Sequence, residues 1–417
     1  MTENTTYLHR GTPAYRRANL ALFIAGFVTF STLYDFQPLL PFLTREFGVT
    51  PAMASLALSV ATFALAWTLP VSGTLSDALG RRVLMGTAVI LTSLLALGTF
   101  FTSSLPALIA VRLVQGVVLA GVPAVAMAYL SEEVAPGAIG AAMGLYIAGN
   151  AMGGMFGRFI TSGLADFLPW RTVIGLIGIA ATVMSLVFLA LIPPSRHFHR
   201  RPFRLGPLTA SLLGHLRNPG LLCLFAVAFA CMGGFVTLYN YVIFRLLAPP
   251  YSLSASQVAW IFLSYLFGAC GSSLIGGLAD TFGRSRTLIA ALAVMSGGAL
   301  LTLFSALPAI LVGVVIFTVG FFSAHSVASA WVGVRAGSAR AQASSLYLFS
   351  YYMGSSISGT GGGYFWSRWG WDGVVALILG SIAVAMLAAL ALARLSARSA
   401  ARLTVPAAMP GNAGCSR

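Results

Sequence analysis

Twelve apolar runs, each close to the roughly 20 residues that a helix needs to cross a bilayer, leave this 417-residue chain almost no other way to fold. They fall near 18–43, 52–73, 83–102, 106–130, 139–164 and 171–193. A second set lies near 220–246, 255–278, 286–305, 308–333, 341–366 and 371–394. Neighbouring runs are parted by short polar or Gly/Pro breaks, and the longer interruptions are the first 17 residues, 194–219 and the stretch after Ala393. Only 8% of residues are charged, against roughly 25% in soluble domains, so the chain cannot cover a water-facing surface. A soluble enzyme, a disordered protein and a disulfide scaffold are excluded. The run from Ala18 is too long for a cleavable signal and lacks a small-residue cleavage site, so it is expected to stay as the first span. Cys223, Cys231, Cys270 and Cys415 have no metal-ligand spacing and read as small hydrophobes. The expectation is an all-α integral membrane protein of twelve helices, with no cofactor, metal or catalytic group.

All 24 basic residues are arginine, against nine acids, for a formal net charge of +15. With the N-terminus inside, eighteen arginines fall on cytoplasmic segments and four (Arg45, Arg171, Arg245 and Arg368) outside. That asymmetry is the positive-inside signal, so most of the charge is topology and not a nucleic-acid footprint. It predicts a multi-pass protein of a bacterial cytoplasmic (inner) membrane with both termini cytoplasmic. Only Arg112 and Arg158 fall inside spans.

The chain also repeats itself. Gly73-Thr74-Leu75-Ser76-Asp77-Ala78-Leu79-Gly80-Arg81 returns as Gly276-Gly277-Leu278-Ala279-Asp280-Thr281-Phe282-Gly283-Arg284, 203 residues on. Thr32-Leu33-Tyr34-Asp35-Phe36 returns as Thr237-Leu238-Tyr239-Asn240-Tyr241, and Met152-Gly153 as Met353-Gly354. One offset near 203 means two six-helix halves in the same orientation, related by an axis along the membrane normal, with a site between them at mid-membrane. The expected organisation is a cytoplasmic segment 1–17, a bundle 18–193, a basic linker 194–219, a bundle 220–394 and a cytoplasmic, disordered tail 395–417. The linker's Arg196-His197-Phe198-His199-Arg200-Arg201 suits anionic lipid headgroups.

The twice-occurring Gly-x-Leu-x-Asp-x-x-Gly-Arg loop resembles the signature of the major facilitator superfamily, and Arg112-Leu113-Val114-Gln115-Gly116 is similar to its R-x-x-Q-G motif. The resemblance covers the whole chain. More narrowly, Ser131-Glu132-Glu133, Gly144-Leu145-Tyr146 and Ala343-Ser344-Ser345-Leu346-Tyr347 resemble the YnfM-like, acriflavine-sensitivity branch of the drug:proton antiporters. The resemblance implies alternating access, a proton-driven exporter, and a role for Arg112 in proton transfer or in holding the helix 1 acid. In span 5, Gly144, Gly153 and Gly157 approach the antiporter motif, but Arg158 stands where that motif continues with proline.

Among the nine acids, Asp35 alone lies well inside an apolar span. An ionised carboxylate there costs roughly 2.5–3.5 kcal/mol on insertion scales. Desolvation favours its neutral form and a nearby arginine its anion, which is the competition that proton coupling needs. The alternative is an anion near the outer end of span 1, snorkelling beside Pro38. For Arg112 the alternatives are coupling with Asp35 or a static bond to backbone carbonyls. Arg158 either meets an anionic or polar substrate, pairs with Asp35 or snorkels. His325, alone among histidines in lying within a span, is a proton relay or substrate contact, or else a satisfied hydrogen bonder. Tyr34, Gln37, Tyr146, Asn150, Tyr239, Asn240, Tyr347 and Tyr351 complete the expected cavity wall. Gly73, Asp77, Gly80 and Arg81, with Gly276, Asp280, Gly283 and Arg284, form the expected gate, each aspartate capping a helix and pairing with an arginine.

These observations predict a proton-coupled secondary transporter, most simply a monomer exporting small amphiphilic or drug-like molecules in exchange for protons. The alternative is transport of a small organic anion or sugar by symport, exchange or facilitated flux, supported by Arg112 and Arg158 outnumbering Asp35. A Walker-type lysine is impossible in a chain without lysine, and neither an enzyme nor a nucleic-acid partner is expected.

Overall fold

The helix starts are set by a short polar cap followed at once by proline, whose missing N–H is no loss in the first turn. Thr12 accepts from the Tyr15 amide ahead of Pro13, Thr50 from Met53 ahead of Pro51, and Asn218 from Gly220 and Leu221 beside Pro219. The computed structural model describes residues 7–200, 202, 205–337 and 339–404. Its first half comprises α1 (Pro13–Phe47), α2 (Pro51–Leu79), α3 (Arg81–Phe101), α4 (Leu105–Glu133), α5 (Pro136–Leu164) and α6 (Trp170–Leu191). A linker helix, Leu205–Leu216, leads to α7 (Pro219–Leu247). The pieces Ala255–Val258, Ala259–Leu263 and Ser264–Phe282 run end to end as α8, followed by α9 (Arg284–Leu301) and α10 (Leu307–Arg335). The last rod, Arg340–Thr404, bends at Gly370 (φ 60°) into α11 (340–369) and α12 (371–404).

Nine stretches among the described residues are long and apolar enough to cross a membrane by length and composition. Adding α8 and α9 and dividing the last stretch at Gly370 gives the twelve crossings. Odd-numbered helices run away from the face that bears Pro13 and Thr404, here the terminal face, and even-numbered ones return from the distal face. The expected tail is helical over residues 395–404, and residues 405–417 lie outside the described residues. So do residues 1–6 of the expected N-terminal segment and positions 201, 203 and 204 of the basic linker. Within that linker His197 docks on Glu133 (amide to Oε1, 2.8 Å) and Arg200 donates to the Ala78 carbonyl (2.7 Å), so it lies along the first half.

Each half packs its first helix tightly on its fifth. A Cβ on Gly153 of α5 would sit 2.3 Å from the Phe27 carbonyl of α1, and one on Gly354 of α11 would sit 2.0 Å from the Phe229 carbonyl of α7. Such contacts let helix backbones touch without a hydrophobic drive between them. The halves meet through α2 on α11, α5 on α8 and α1 on α7.

The hydrogen bonds between the halves lie toward the distal face. Ser356 donates to the Ser59 carbonyl (2.8 Å), Ser162 to the Ala255 carbonyl (2.7 Å), and Gln37 to Asn240 (2.7 Å). At the rim, Asp166 of the α5–α6 loop accepts the Ala255 and Ser256 amides at 2.9 and 2.7 Å, adding a second cap to an α8 terminus that already carries the Ser254 capping box. The distal side is therefore sealed, and the space between the halves lies on the terminal side.

Candidate functional site

Pro38 creates the first feature of the site. It has no N–H for the Tyr34 carbonyl and its ring crowds that turn, so the first helical segment of α1 ends at Tyr34 with Asp35 as its C-cap. The last carbonyls of a helix have no partner of their own. Arg112 of α4 supplies one, donating to Thr32 (2.8 Å) and Leu33 (2.6 Å), to the Ala57 carbonyl of α2 (2.7 Å) and to Gln115 Oε1 (2.7 Å). Asp35 faces this guanidinium at 3.5 Å, both groups being fully buried. Neither carboxylate oxygen has a hydrogen-bond partner. Arg112 thus does both things open to it: it ties backbone carbonyls and it pairs with the helix 1 acid.

A cavity of about 400 Å³ opens between the halves. Tyr34, Tyr146, Asn150, Arg158, His325 and Tyr351 of the expected wall line it. Arg158 is charged and almost wholly buried, held by Gln37 Oε1 on Nε and by the Gly154 carbonyl on Nη1. Its guanidinium lies 3.9 Å from the centre of the Tyr34 ring and 5.1 Å from that of Tyr265. His325 takes a 3.0 Å hydrogen bond through Nδ1 with the Tyr347 hydroxyl and has its ring 4.8 Å from that of Tyr351.

The other expected wall residues lie elsewhere. Tyr239 turns toward Thr318 (2.8 Å) and Ser264, buried behind the wall. Asn240, one position on and so about 100° around the helix, points instead at Gln37 and the Gly359 carbonyl. Gln37 is buried between Arg158 and Asn240 and joins the two halves. Tyr347 reaches the cavity only through His325. Tyr265, Phe235, Phe321 and Phe322 do line it and were not picked out in the sequence. Phe321 and His325 stand four residues apart on α10, the spacing of one helix face, which is the signal that marks them.

At the gate motif, Arg81 bridges Asp77 (2.5 Å) and Glu132 (2.8 Å), tying α2, α3 and α4 at the terminal face. Gly80 and Gly283 turn the two loops with φ of 102° and 86°, a conformation that favours glycine. The expected Asp280–Arg284 pair does not form among the described residues. Val334 stands at the repeat position of Glu132, so the second half lacks the acid that fixes Arg81. Gly73 accepts a long bond from Arg81 (3.4 Å) and Gly277 is open around its α-carbon. Gly276 lies in α8.

The family model described as Major Facilitator Superfamily matches residues 22–247, more than half of the chain. The chain belongs to the major facilitator superfamily. It is therefore a multi-pass membrane transporter and not an enzyme. Among this superfamily's members it is 47% identical over 381 residues to the Bacillus subtilis protein called uncharacterized MFS-type transporter YybF, covering 91% of this chain and 94% of that one. It is 45% identical over 386 residues to the Escherichia coli inner membrane transport protein YnfM, with 93% of each chain covered. A bacterial homologue of the human lysosomal transporter Spinster, solved inward-facing and unoccupied, superposes with a TM-score of 0.72 over 95% of this chain and all of that one. At 16% identity that likeness shows the superfamily fold alone.

Proposed function

We propose that this protein is a proton-coupled secondary transporter of the bacterial inner membrane that works as a monomer by alternating access, with its terminal face in the cytoplasm. Asp35 is the proton carrier and Arg112 its partner. One observation carries this reading: a fully buried carboxylate has neither oxygen hydrogen-bonded, beside an arginine whose donors are engaged by backbone and Gln115. An anion so placed is stabilised chiefly by Coulomb attraction to Arg112, while the neutral acid avoids the desolvation cost of the ion. A small shift of α1 against α4 is enough to change which form wins. The aromatic cavity supports a small amphiphilic solute, and the arginines at the terminal face support its cytoplasmic placement. Gly73, Asp77, Gly80 and Arg81 serve as the cytoplasmic gate, with Gly276, Asp280, Gly283 and Arg284 as its looser counterpart.

The test is solute-driven proton flux in proteoliposomes loaded with a pH-sensitive dye, challenged with a panel of amphiphilic dyes and aromatic acids. Asp35→Asn is expected to remain folded and to exchange solute down its gradient while moving no protons. If that variant still builds a solute gradient from a pH gradient, Asp35 is not the carrier.

A further inference from the structure

Arg158 is the one cationic arginine in the cavity wall, and no carboxylate lines the cavity among the described residues. An organic cation entering this space meets an uncompensated like charge at its inner end. Arg158 is held by two protein acceptors, on Nε and Nη1, and its Nη2 donates to no described residue. Its guanidinium is sandwiched between Tyr34 and Tyr265, so its direction is fixed. The Tyr265 hydroxyl, in the same wall, is buried without a hydrogen-bond partner. One charged donor and one unsatisfied hydroxyl in the same wall of the cavity make a receptor for one small acid group.

The wall beyond them is aromatic and continuous. The Tyr265 ring is 5.5 Å from Phe235, Phe235 is 3.8 Å from Phe321, and Phe321 is 6.3 Å from Tyr351. Rings at these separations offer faces and edges to a flat ligand. A cavity of about 400 Å³ holds one small ligand.

We infer that the transported solute is an aromatic monocarboxylate, its carboxylate on Arg158 and the Tyr265 hydroxyl and its ring against Phe235 and Phe321. The inference rests on the transport reading above and sharpens its substrate. A sulfonate of the same shape shares the chemistry. A sugar or an amine does not, because a charged donor left unpaired by the ligand loses the strong half of the interaction.

The experiment uses the purified full-length protein and three probes that share one ring: 1-naphthoate, 1-naphthamide and 1-naphthylmethylammonium, with binding measured by calorimetry. Naphthoate is expected to bind about 10–100-fold more tightly than naphthamide, the scale of one charge-assisted contact, and the ammonium not to bind measurably. Arg158→Gln is expected to lose that advantage, binding naphthoate no more tightly than naphthamide, while measurable naphthamide binding shows the cavity intact. Arg158→Lys is expected to recover part of it. The inference is overturned if the ammonium binds as well as naphthoate, if Arg158→Gln binds naphthoate like the wild type, or if none of the three probes binds. Binding at equilibrium consumes no proton, so it is read independently of the Asp35 transport assay. Naphthoate binding alongside undiminished proton-driven transport by Asp35→Asn would sink the coupling assignment and leave this one standing.

Discussion

The two halves share one scaffold and differ in what they do with it. In the first, α1 and α4 are broken, at Asp35–Phe36 and at Ala120–Val122, just ahead of Pro38 and Pro123. In the second, α7 and α10 run 29 residues each without interruption, and Ile243 and His325 stand at the repeat positions of the two prolines. Two of the buried charges, Asp35 and Arg112, belong to the broken helices, and Arg158 stands on the uninterrupted Ile139–Leu164 segment of α5. Asp35, Arg112 and Arg158 of the first half have Asn240, Val314 and Gly359 as repeat partners. A broken helix leaves carbonyls that an arginine satisfies, and the arginine in turn allows an acid beside it. An unbroken helix has no such vacancy, and the neutral Asn240 suffices. The second half is thus a control built into the chain: the fold does not need these charges.

The sharpest way to break that comparison is to remove Arg112. Arg112→Leu is expected to cost about 3–5 kcal/mol, because it strands a buried acid and several carbonyls, whereas Val314→Ala costs roughly 1 kcal/mol for a small void. Thermal unfolding in detergent measures both, and equal costs would mean that the charges are not bound to the breaks. Smaller effects are expected where the halves agree. Gly153→Ala and Gly354→Ala each force apart a helix pair in contact and are expected to destabilise by a similar amount, about 1–3 kcal/mol each. A large inequality between them would show that the packing is asymmetric as well as the charge.

The smallest effect belongs to Asp166. Burial pushes this carboxyl up, but the hydrogen bonds from Ser256, Ala255 and Ser254 outweigh it and hold it below the usual carboxylate range. Its contribution to the distal seal is therefore fully present above the ordinary aspartate value and disappears as the pH falls through the lowered one. As an exposed cap it is worth at most about 1 kcal/mol. Asp166→Ala is expected to shift the distal side toward opening by less than tenfold. Spin labels at Phe167→Cys and Trp260→Cys in a cysteine-free background read the distance. A distribution unchanged from that of Asp166 itself would remove the residue from the seal.

The sequence displayed the scaffold almost completely, because twelve apolar runs and one repeat offset are long-range patterns that survive any detail of packing. Asp35, Arg112 and Arg158 were legible for the same reason: a charge in an apolar run stands out. The aromatic wall was not. Whether Tyr239 or its neighbour faces the cavity depends on the rotation of α7 against the opposite half, and nothing local to the residue reports that angle. Gln37 shows the limit most clearly, since its value lies in joining Arg158, 121 positions away, to Asn240, 203 positions away.

The distal contacts also differ in how wet they are. Asp166 and the Ser256 amide sit at the exposed rim, where water replaces each lost bond at once. The Gln37–Asn240 amide pair is fully buried, and parting it dry leaves both groups unsatisfied. The seal therefore unzips most cheaply from the solvent inward, each broken bond admitting the water that lowers the barrier to the next. Asn240, the neutral twin of Asp35, is the last tooth of that zipper.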